Sequence, residues 1–169
     1  MTPEEHIKAA LLGLGFDADP EMQRTPEQVS GFLREFLPTT PLPVLEPLPT
    51  GSRDLLVLRD IPFHSLCAHH LLPFFGTATL AYLPDGRICG LGGLARLVDA
   101  LARRPQLQER LAAQIANEIL AGLQPRGVAV RLRARHMCME MRGARSRADV
   151  ECTATRGDAG DSLIDALRA

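Results

Sequence analysis

The sequence has almost no lysine, no long apolar run and no glycine-rich nucleotide-binding motif, and these absences exclude several classes of protein. Lys8 is the single lysine among 19 basic residues, and the arginines form no dense run. Because the formal net charge is −1, we do not expect a broad electrostatic interaction with nucleic acid or anionic lipid. No apolar stretch approaches the roughly 20 residues needed to cross a bilayer.

The N-terminus and the cysteines predict a cytoplasmic location. The first residues, M-T-P-E-E-H, lack the basic segment that opens a secretion signal. The four cysteines are therefore expected to be thiols or metal ligands rather than disulfides. Two of them, Cys89 and Cys152, are predicted to be buried or half-buried residues of strands. With 169 residues, 46% of them hydrophobic, the chain suits one domain with a true core.

The N-terminal part is predicted to contain two helices and a connector. Apolar periodicity predicts a helix at Pro3–Leu14 and a second one beginning at Thr25, which would cap it, with Pro26 in the first helical position. The next segment, Leu37–Ser52, carries five prolines. It is predicted to be an extended connector without packing of its own.

The rest of the chain combines strand and helix patterns. Four strands are predicted, at Leu55–Ile61, Thr77–Leu83, Val128–Arg135 and Ala148–Thr155. A hairpin is expected from Thr77–Leu83 through the turn Pro84-Asp85-Gly86 to Ile88. Apolar stripes predict helices at Leu91–Leu101, Gln106–Leu123 and Ser162–Leu167. This order favours an α+β fold, in which a pair of helices covers one face of an antiparallel sheet.

Two segments carry a pattern of histidine and cysteine that is typical of a metal site. They read F-H-S-L-C-A-H-H-L-L-P-F-F-G at Phe63–Gly76 and R-H-M-C-M-E-M-R-G at Arg135–Gly143. Their histidines and cysteines with metal-ligand spacing are Cys67, His69, His70, His136 and Cys138. Isolated histidines and cysteines are more often packing or surface residues, but the second segment favours metal, so we predict that the two segments meet around one ion. Three nitrogen and sulfur ligands suit zinc and leave a position open for water.

The chemistry expected of such a site is hydrolysis. Zinc lowers the pKa of water towards about 7, which makes hydroxide available at neutral pH. Histidines that lie beside the metal without binding it suit proton transfer, which commonly contributes roughly 10²–10⁴-fold to a rate.

Four motifs together resemble GTP cyclohydrolase I, and they occur in the order of that family. They are C-A-H-H-L-L-P-F-F-G, G-L-x-x-L-A-R, R-P-Q-L-Q-E-R-L and H-M-C-M-E-M-R-G, and the similarity runs from about Thr25 to Gly143. The resemblance implies the tunnelling fold, an antiparallel four-stranded sheet with two antiparallel helices packed on one face and N-terminal helices before it. The predicted domains are 1–52, the N-terminal helices and proline-rich connector, and 53–169, the tunnelling-fold catalytic domain. A homo-oligomer, usually a decamer, with active sites between subunits is also implied.

The resemblance implies a zinc cofactor and a role for each residue of the two metal segments. Cys67, His70 and Cys138 match the zinc ligands of the family. His69 and His136 match its proton-transfer histidines. In the family reaction, water attacks C8 of the purine, protonation at N7 by the residue at the His136 position opens the imidazole ring, and formate is released.

Further residues match the substrate-binding positions of the family. Gln108 and Glu109 correspond to the pair that reads the guanine edge, where a carboxylate accepts from N1–H and the 2-amino group together. Without the motif, the alternative for this pair is the solvated start of a helix. Arg96 and Arg142 correspond to positions that hold the triphosphate.

The sequence departs from the family at the triphosphate site. Gln28 and Gly31 replace an arginine and a lysine, and Gly92 and Gly93 replace a serine and a lysine. Ala68 replaces an acidic residue, a smaller departure. Charge-assisted hydrogen bonds contribute about 1.5–3 kcal/mol each, so the loss of three cations predicts weak binding of a triphosphate. In the family, the serine that Gly92 replaces is implicated in closure of the pterin ring, so this later step is also in doubt.

The sequence therefore predicts a zinc-dependent cyclohydrolase, a hydrolase of cyclic amidine C–N bonds, with an altered small-molecule substrate. The expected substrate is a guanine-type base, nucleoside, monophosphate or purine analogue rather than GTP. One alternative is an ordinary GTP cyclohydrolase I that makes dihydroneopterin triphosphate for folate or pterin synthesis, with other arginines at the phosphates. The other is a non-catalytic relative that binds a purine or pterin, although retention of His69 and His136 argues against it.

Overall fold

The computed structural model describes residues 1–16, 19–158 and 160–168. Within it the chain forms two compact units, Met1–Thr40 and Pro41–Ala169. The predicted functional boundary between 1–52 and 53–169 stays a prediction. In the described ranges, no helix combines the length and the apolar character that a membrane span requires.

The N-terminal unit is a pair of helices, α1 (Pro3–Gly13) and α2 (Thr25–Phe36), with a 3-10 turn at Pro20–Met22 between them. On α1, the Glu4 carboxylate accepts from the Ser30 hydroxyl of α2 at 2.6 Å and pairs with Arg34 at 2.7 Å. These hydrogen bonds lower the pKa of Glu4 to about 2. The prediction that Thr25 caps α2 is wrong, because Arg24 is the N-cap and Thr25 already lies in the helix.

The second unit is built on an antiparallel sheet. Its strands are β1 (Leu48–Pro49), β2 (Leu56–Cys67), β3 (Pro73–Leu83), β4 (Arg87–Ile88), β5 (Pro105–Gln106), β6 (Gly127–His136) and β7 (Asp149–Gly157). The main sheet has the order β5-β2-β3-β6-β7, in which only the two-residue strand β5 is parallel to its neighbour. The four long strands are antiparallel, as predicted.

In the part of this unit that the structure describes, the sheet is accompanied by the helices α3 (Leu91–Ala102), α4 (Gln108–Leu123), the short α5 (Met137–Glu140) and α6 (Asp161–Arg168). The apolar stripes of α3 and α4 pack against alternate residues of β3 and β6, among them Leu80, Val130 and Leu132, all 0% exposed. α6 covers the opposite face at one end, where Leu163 packs against Ala129. The prediction of an α+β fold with two helices on one face of a four-stranded antiparallel sheet is confirmed.

The hairpin that matters for the site joins β2 to β3. β2 continues past Ile61, where its predicted end was, as far as Cys67, after a register shift between Leu58 and Ile61. The predicted hairpin that ends at Ile88 is wrong, since β4 pairs with β1 rather than with β3. Because β2 ends at Cys67 and β3 begins at Pro73, the turn between these two strands carries His69 and His70.

The prediction that the proline-rich connector has no packing of its own is also wrong. Leu45 is only 6% exposed and belongs to the main core. It contacts both central helices at glycines: a Cβ built on Gly122 would lie 3.2 Å from Leu45 Cβ, and one built on Gly93 would lie 3.7 Å from Leu45 Cδ2. At Gly122 a side chain would press on Leu45, whereas the distance at Gly93 is an ordinary van der Waals contact.

We expect Leu45→Ala to lower the free energy of unfolding by about 2–5 kcal/mol, because it removes a buried side chain and leaves a cavity. The matched control is Val44→Ala, since Val44 is 84% exposed and its truncation removes little buried surface. Urea unfolding of both variants at one protein concentration checks this. Equal stability of the two variants would show that Leu45 does not anchor the connector.

Candidate active site

The tight turn between β2 and β3 positions the first group of site residues. Cys67, the last residue of β2, is buried, and its backbone N–H donates to the carbonyl of Leu72 at 2.8 Å. Its own carbonyl accepts from Leu71 N–H at 2.8 Å, and Leu71 has a φ of +53°, which is unusual for a bulky side chain. The turn leaves His69 and His70 exposed beside the buried thiol.

The register between β3 and β6 brings the second group to the same place. Phe74, at the start of β3, pairs with His136, the last residue of β6. The chain then continues into α5, which carries Cys138. Residues that are about 70 positions apart in the sequence (138 − 67 = 71) thus meet at one end of the sheet.

Cys67, His70 and Cys138 form a group of potential metal ligands. Their donor atoms all lie within 4.8 Å of one another, and Cys67 Sγ is 3.8 Å from His70 Nδ1. Tetrahedral zinc, with Zn–S of about 2.3 Å and Zn–N of about 2.0–2.1 Å, separates its ligand atoms by about 3.5–3.8 Å. Two thiols and one imidazole are also the donors that zinc prefers, so these residues fit a zinc ion.

The electrostatics of this group act against an ionised Cys138 thiol. Burial and the hydrogen bond with Cys67 raise the pKa of this thiol, so a cation that binds here must displace its proton. The Arg142 guanidinium lies 2.8 Å from His70 Nε2, a hydrogen bond that requires Nε2 to carry no hydrogen. When His70 Nδ1 binds a metal, Nε2 carries the hydrogen, so Arg142 must then turn away from it. His69 is not one of the three donors, although its Nδ1 lies 3.9 Å from Cys67 Sγ.

His136 is held by contacts on its ring face and its ring edge. The ring stacks on Phe74 with centroids 4.8 Å apart and an angle of 3° between the planes. Its Nε2 lies 2.6 Å from the Gln108 side-chain oxygen. Burial lowers the pKa of His136, and the negative charge of Glu109 acts in the opposite direction.

The predicted substrate pair at the start of α4 has two different environments. Gln108 is 2% exposed, and its amide nitrogen donates to the carbonyls of Leu132 at 3.0 Å and Val150 at 2.9 Å. Glu109 is exposed, and its charge acts on both His136 and Cys152. The alternative of a solvated helix start is therefore excluded for Gln108. The roles predicted for this pair stay predictions.

Arg96 lies in another part of the unit. This exposed arginine lines a cavity of about 210 Å³ at the beginning of α3, together with Glu46, Cys89 and Gly93. The three metal donors, all of them described, are not among its lining residues. The structure thus brings Arg142, but not Arg96, next to the metal donors of the same chain.

Sequence reasoning missed Phe74 and the internal contacts of Gln108. Phe74 belongs to a motif with other aromatics, and nothing in its residue type distinguishes a support for a histidine ring from ordinary core. The two remaining cysteines lie outside the group of potential metal ligands. Cys89 is 5% exposed, and burial raises the pKa of Cys152 to about 11. Cys152 lies in β7 as predicted, whereas Cys89 follows the end of β4.

Known proteins resemble this chain over nearly its whole length. The family model for GTP cyclohydrolase I matches residues 3–162. The GTP cyclohydrolase 1 of Hydrogenobaculum sp. is 43% identical over 164 residues, which cover 95% of this chain and 88% of that protein. The GTP cyclohydrolase 1 of Aquifex aeolicus is 42% identical over 158 residues, 91% of this chain and 85% of that protein.

A solved structure has the same fold. The archaeosine synthase QueF-Like in the apo form superimposes with a TM-score of 0.52 at 22% sequence identity. The match covers 64% of this chain and 99% of that one. At this level of identity the likeness shows the fold alone. With the family match, it confirms the predicted tunnelling fold.

The relatives contradict the prediction that GTP has been exchanged for another substrate. Curated proteins that are 43% identical over most of this chain are GTP cyclohydrolases, which favours the first alternative. The prediction of an altered substrate rested on a count of the cations lost from the triphosphate site, and it did not consider where the remaining residues lie in the fold. In the structure, Gly92 lies beside Arg96 at the start of α3: a Cβ built on Gly92 would lie 3.3 Å from the flexible end of the Arg96 side chain.

The metal group on its own would fit several kinds of zinc hydrolase, and the fold on its own occurs in enzymes with other activities. The family match to residues 3–162 and the 43% identity over 95% of the chain decide between these possible activities. We conclude that this chain is an enzyme of the GTP cyclohydrolase I family.

Proposed function

We propose that this enzyme hydrolyses GTP at C8, releases formate and closes the product to dihydroneopterin triphosphate for folate or pterin synthesis. The convergence of Cys67, His70 and Cys138, in a chain that belongs to this family, is the observation that carries the proposal. A non-catalytic binding protein would need neither three metal ligands nor the two histidines beside them.

In this proposal Cys67, His70 and Cys138 hold a zinc ion. When bound, zinc supplies hydroxide at neutral pH by lowering the pKa of water to about 7. The spacing of the donor atoms and their chemical types support this choice of metal.

His69 and His136 are proposed to move protons. Because burial lowers the pKa of His136, its protonated form gives up a proton more readily than an exposed histidine does. We assign it the proton that reaches N7 of the purine as the bond to C8 breaks. The exposed His69 is placed to exchange protons with solvent.

Glu109 and the two arginines are proposed to hold the substrate, with Gln108 as the predicted partner of Glu109. The exposed Glu109 carboxylate accepts from N1–H and the 2-amino group of guanine, which adenine cannot match. Arg142 lies beside the metal donors and suits a phosphate. Arg96 and the N-terminus of α3 form a second place for phosphate.

We further propose a cytoplasmic homo-oligomer, a decamer or a similar assembly, with active sites between subunits. Within the described part of the chain, β7 pairs with β6 on one side only. A nine-residue strand with a free edge is suited to pairing with another subunit. Such pairing would also let the Arg96 of one subunit serve the metal site of another.

Turnover of GTP tests the proposed function. Purified protein is incubated with GTP, GMP and guanosine, and the products are identified by mass spectrometry together with an assay for formate. We expect GTP to be consumed with the highest kcat/KM and to give dihydroneopterin triphosphate and formate. Consumption of GMP or guanosine while GTP is left intact would contradict the proposal.

We expect Cys67→Ser and Cys138→Ser to abolish zinc binding and GTP turnover, because each removes a thiolate ligand from a three-ligand site. The control variant Cys89→Ala removes a thiol outside this group and should retain its zinc. Zinc is measured by elemental analysis after gel filtration. Full zinc content in either serine variant would remove that cysteine from the site.

We expect Glu109→Gln to lower kcat/KM for GTP by roughly 10–100-fold, because a charge-assisted pair of hydrogen bonds to guanine is lost. Glu118→Gln is the matched control, since Glu118 is an exposed carboxylate on the same helix. Steady-state kinetics of both variants checks this. If the two variants were equally active, another residue would have to read the guanine edge.

A further inference from the structure

We infer that Gln108 is a positioning residue that holds His136 in one tautomer, so that Nδ1 is the ring nitrogen that exchanges a proton with the substrate. The inference rests on the proposed function, because it specifies how His136 acts in that reaction. It also gives Gln108 a different role from the guanine contact that the sequence predicts.

The orientation of the Gln108 amide follows from its partners. The side-chain nitrogen lies 3.0 Å from the Leu132 carbonyl on β6 and 2.9 Å from the Val150 carbonyl on β7. Carbonyl oxygens only accept hydrogen bonds, so the NH₂ group must face them, and both of its hydrogens are used. The Gln108 oxygen is therefore the atom that faces His136.

The tautomer of His136 follows from the Gln108 amide. The Gln108 oxygen lies 2.6 Å from His136 Nε2, and an amide oxygen cannot donate a hydrogen bond, so Nε2 carries a hydrogen. This holds for the neutral ring and for the protonated one. The proton that His136 exchanges with the substrate must then be bound to Nδ1.

This assignment balances the proton transfer. A His136 ring that is protonated on both nitrogens gives its Nδ1 proton to N7 of the purine and becomes neutral. Its Nε2–H bond to Gln108 is unchanged by the transfer. Gln108 therefore keeps the ring in position before and after the step, at no cost of reorganisation.

The burial of Gln108 and Phe74 fixes the position of the His136 ring. Gln108 is 2% exposed and Phe74 is 0% exposed, and the Phe74 ring lies flat against the His136 ring. Gln108 also bridges two adjacent strands, which links its position to the sheet. Both donors of its side chain are used internally, which leaves the guanine edge to the exposed Glu109.

Kinetics of Gln108→Met test the inference, since methionine has a similar length and cannot hydrogen-bond to the ring. We expect kcat to fall about 10–100-fold, the range typical of lost outer-shell support, while KM for GTP changes less than about twofold. Gln114→Met, a change to a half-buried glutamine of the same helix, is the control that should keep its activity. A raised KM with unchanged kcat would overturn the inference and support a guanine contact.

A double-mutant cycle separates positioning from substrate reading. In a His136→Asn background, Gln108→Met should have almost no further effect on kcat, because the residue through which it acts is already gone. A reader of guanine would instead lower kcat/KM for GTP further in that background. It would also reduce the preference for GTP over inosine triphosphate, which lacks the 2-amino group. Either result would contradict the inference.

Nitrogen NMR of the zinc-loaded protein with ¹⁵N-labelled histidine tests the tautomer without substrate. Five histidines contribute signals, and His136→Asn assigns the relevant pair. We expect a protonated Nε2 and an unprotonated Nδ1 in the neutral ring, and a mixture of tautomers in Gln108→Met. A neutral His136 ring with its hydrogen on Nδ1 in the native protein would refute the inference. If GTP is not turned over but this signature is present, the proposed function fails and the tautomer assignment stands.

Discussion

The register between β3 and β6 is the constraint on which the rest of the site depends. It pairs Phe74 with His136 and so brings the β2–β3 turn next to α5. The two strands approach closely at Gly76, where a Cβ would lie 1.9 Å from the Arg133 carbonyl oxygen, so only glycine allows this pairing. A slip by one residue would move His136 to the other face of the sheet and would separate Cys138 from Cys67.

The same sheet also supports the groups around the three potential metal ligands. Phe74 contacts the His136 ring on one side and meets Phe63 edge-on at 6.0 Å in the core. Gln108 ties the first turn of α4 to the carbonyls of β6 and β7. The exposed residues Glu109, His69 and His70 border this buried base. The packed interior thus supports exposed polar groups at one end of the sheet.

Much of the fold could be predicted from the sequence because its signals are local. The apolar stripes of α3 and α4 and the alternation in β6 are periodic, and the metal ligands belong to short motifs. The packing of Leu45 could not be predicted, because a proline-rich segment has no periodicity and its partners, Gly93 and Gly122, are distant in sequence. The pairing of β4 with β1 is likewise non-local.

The site was predicted where a residue type implies one chemistry and missed where it does not. A glutamine beside a glutamate at a helix start gives no sign that one is buried and the other exposed. The altered substrate was predicted wrongly, because the prediction weighed a few lost cations and not the whole chain, which is 43% identical to a GTP cyclohydrolase 1 over 95% of its length.

Zinc K-edge X-ray absorption of the purified protein most directly tests whether the register assembles one metal centre from both segments. Cys67, His70 and Cys138 predict two sulfur ligands at about 2.3 Å and nitrogen or oxygen ligands at about 2.0–2.1 Å. A spectrum without sulfur, or with four sulfur ligands, would contradict this assignment.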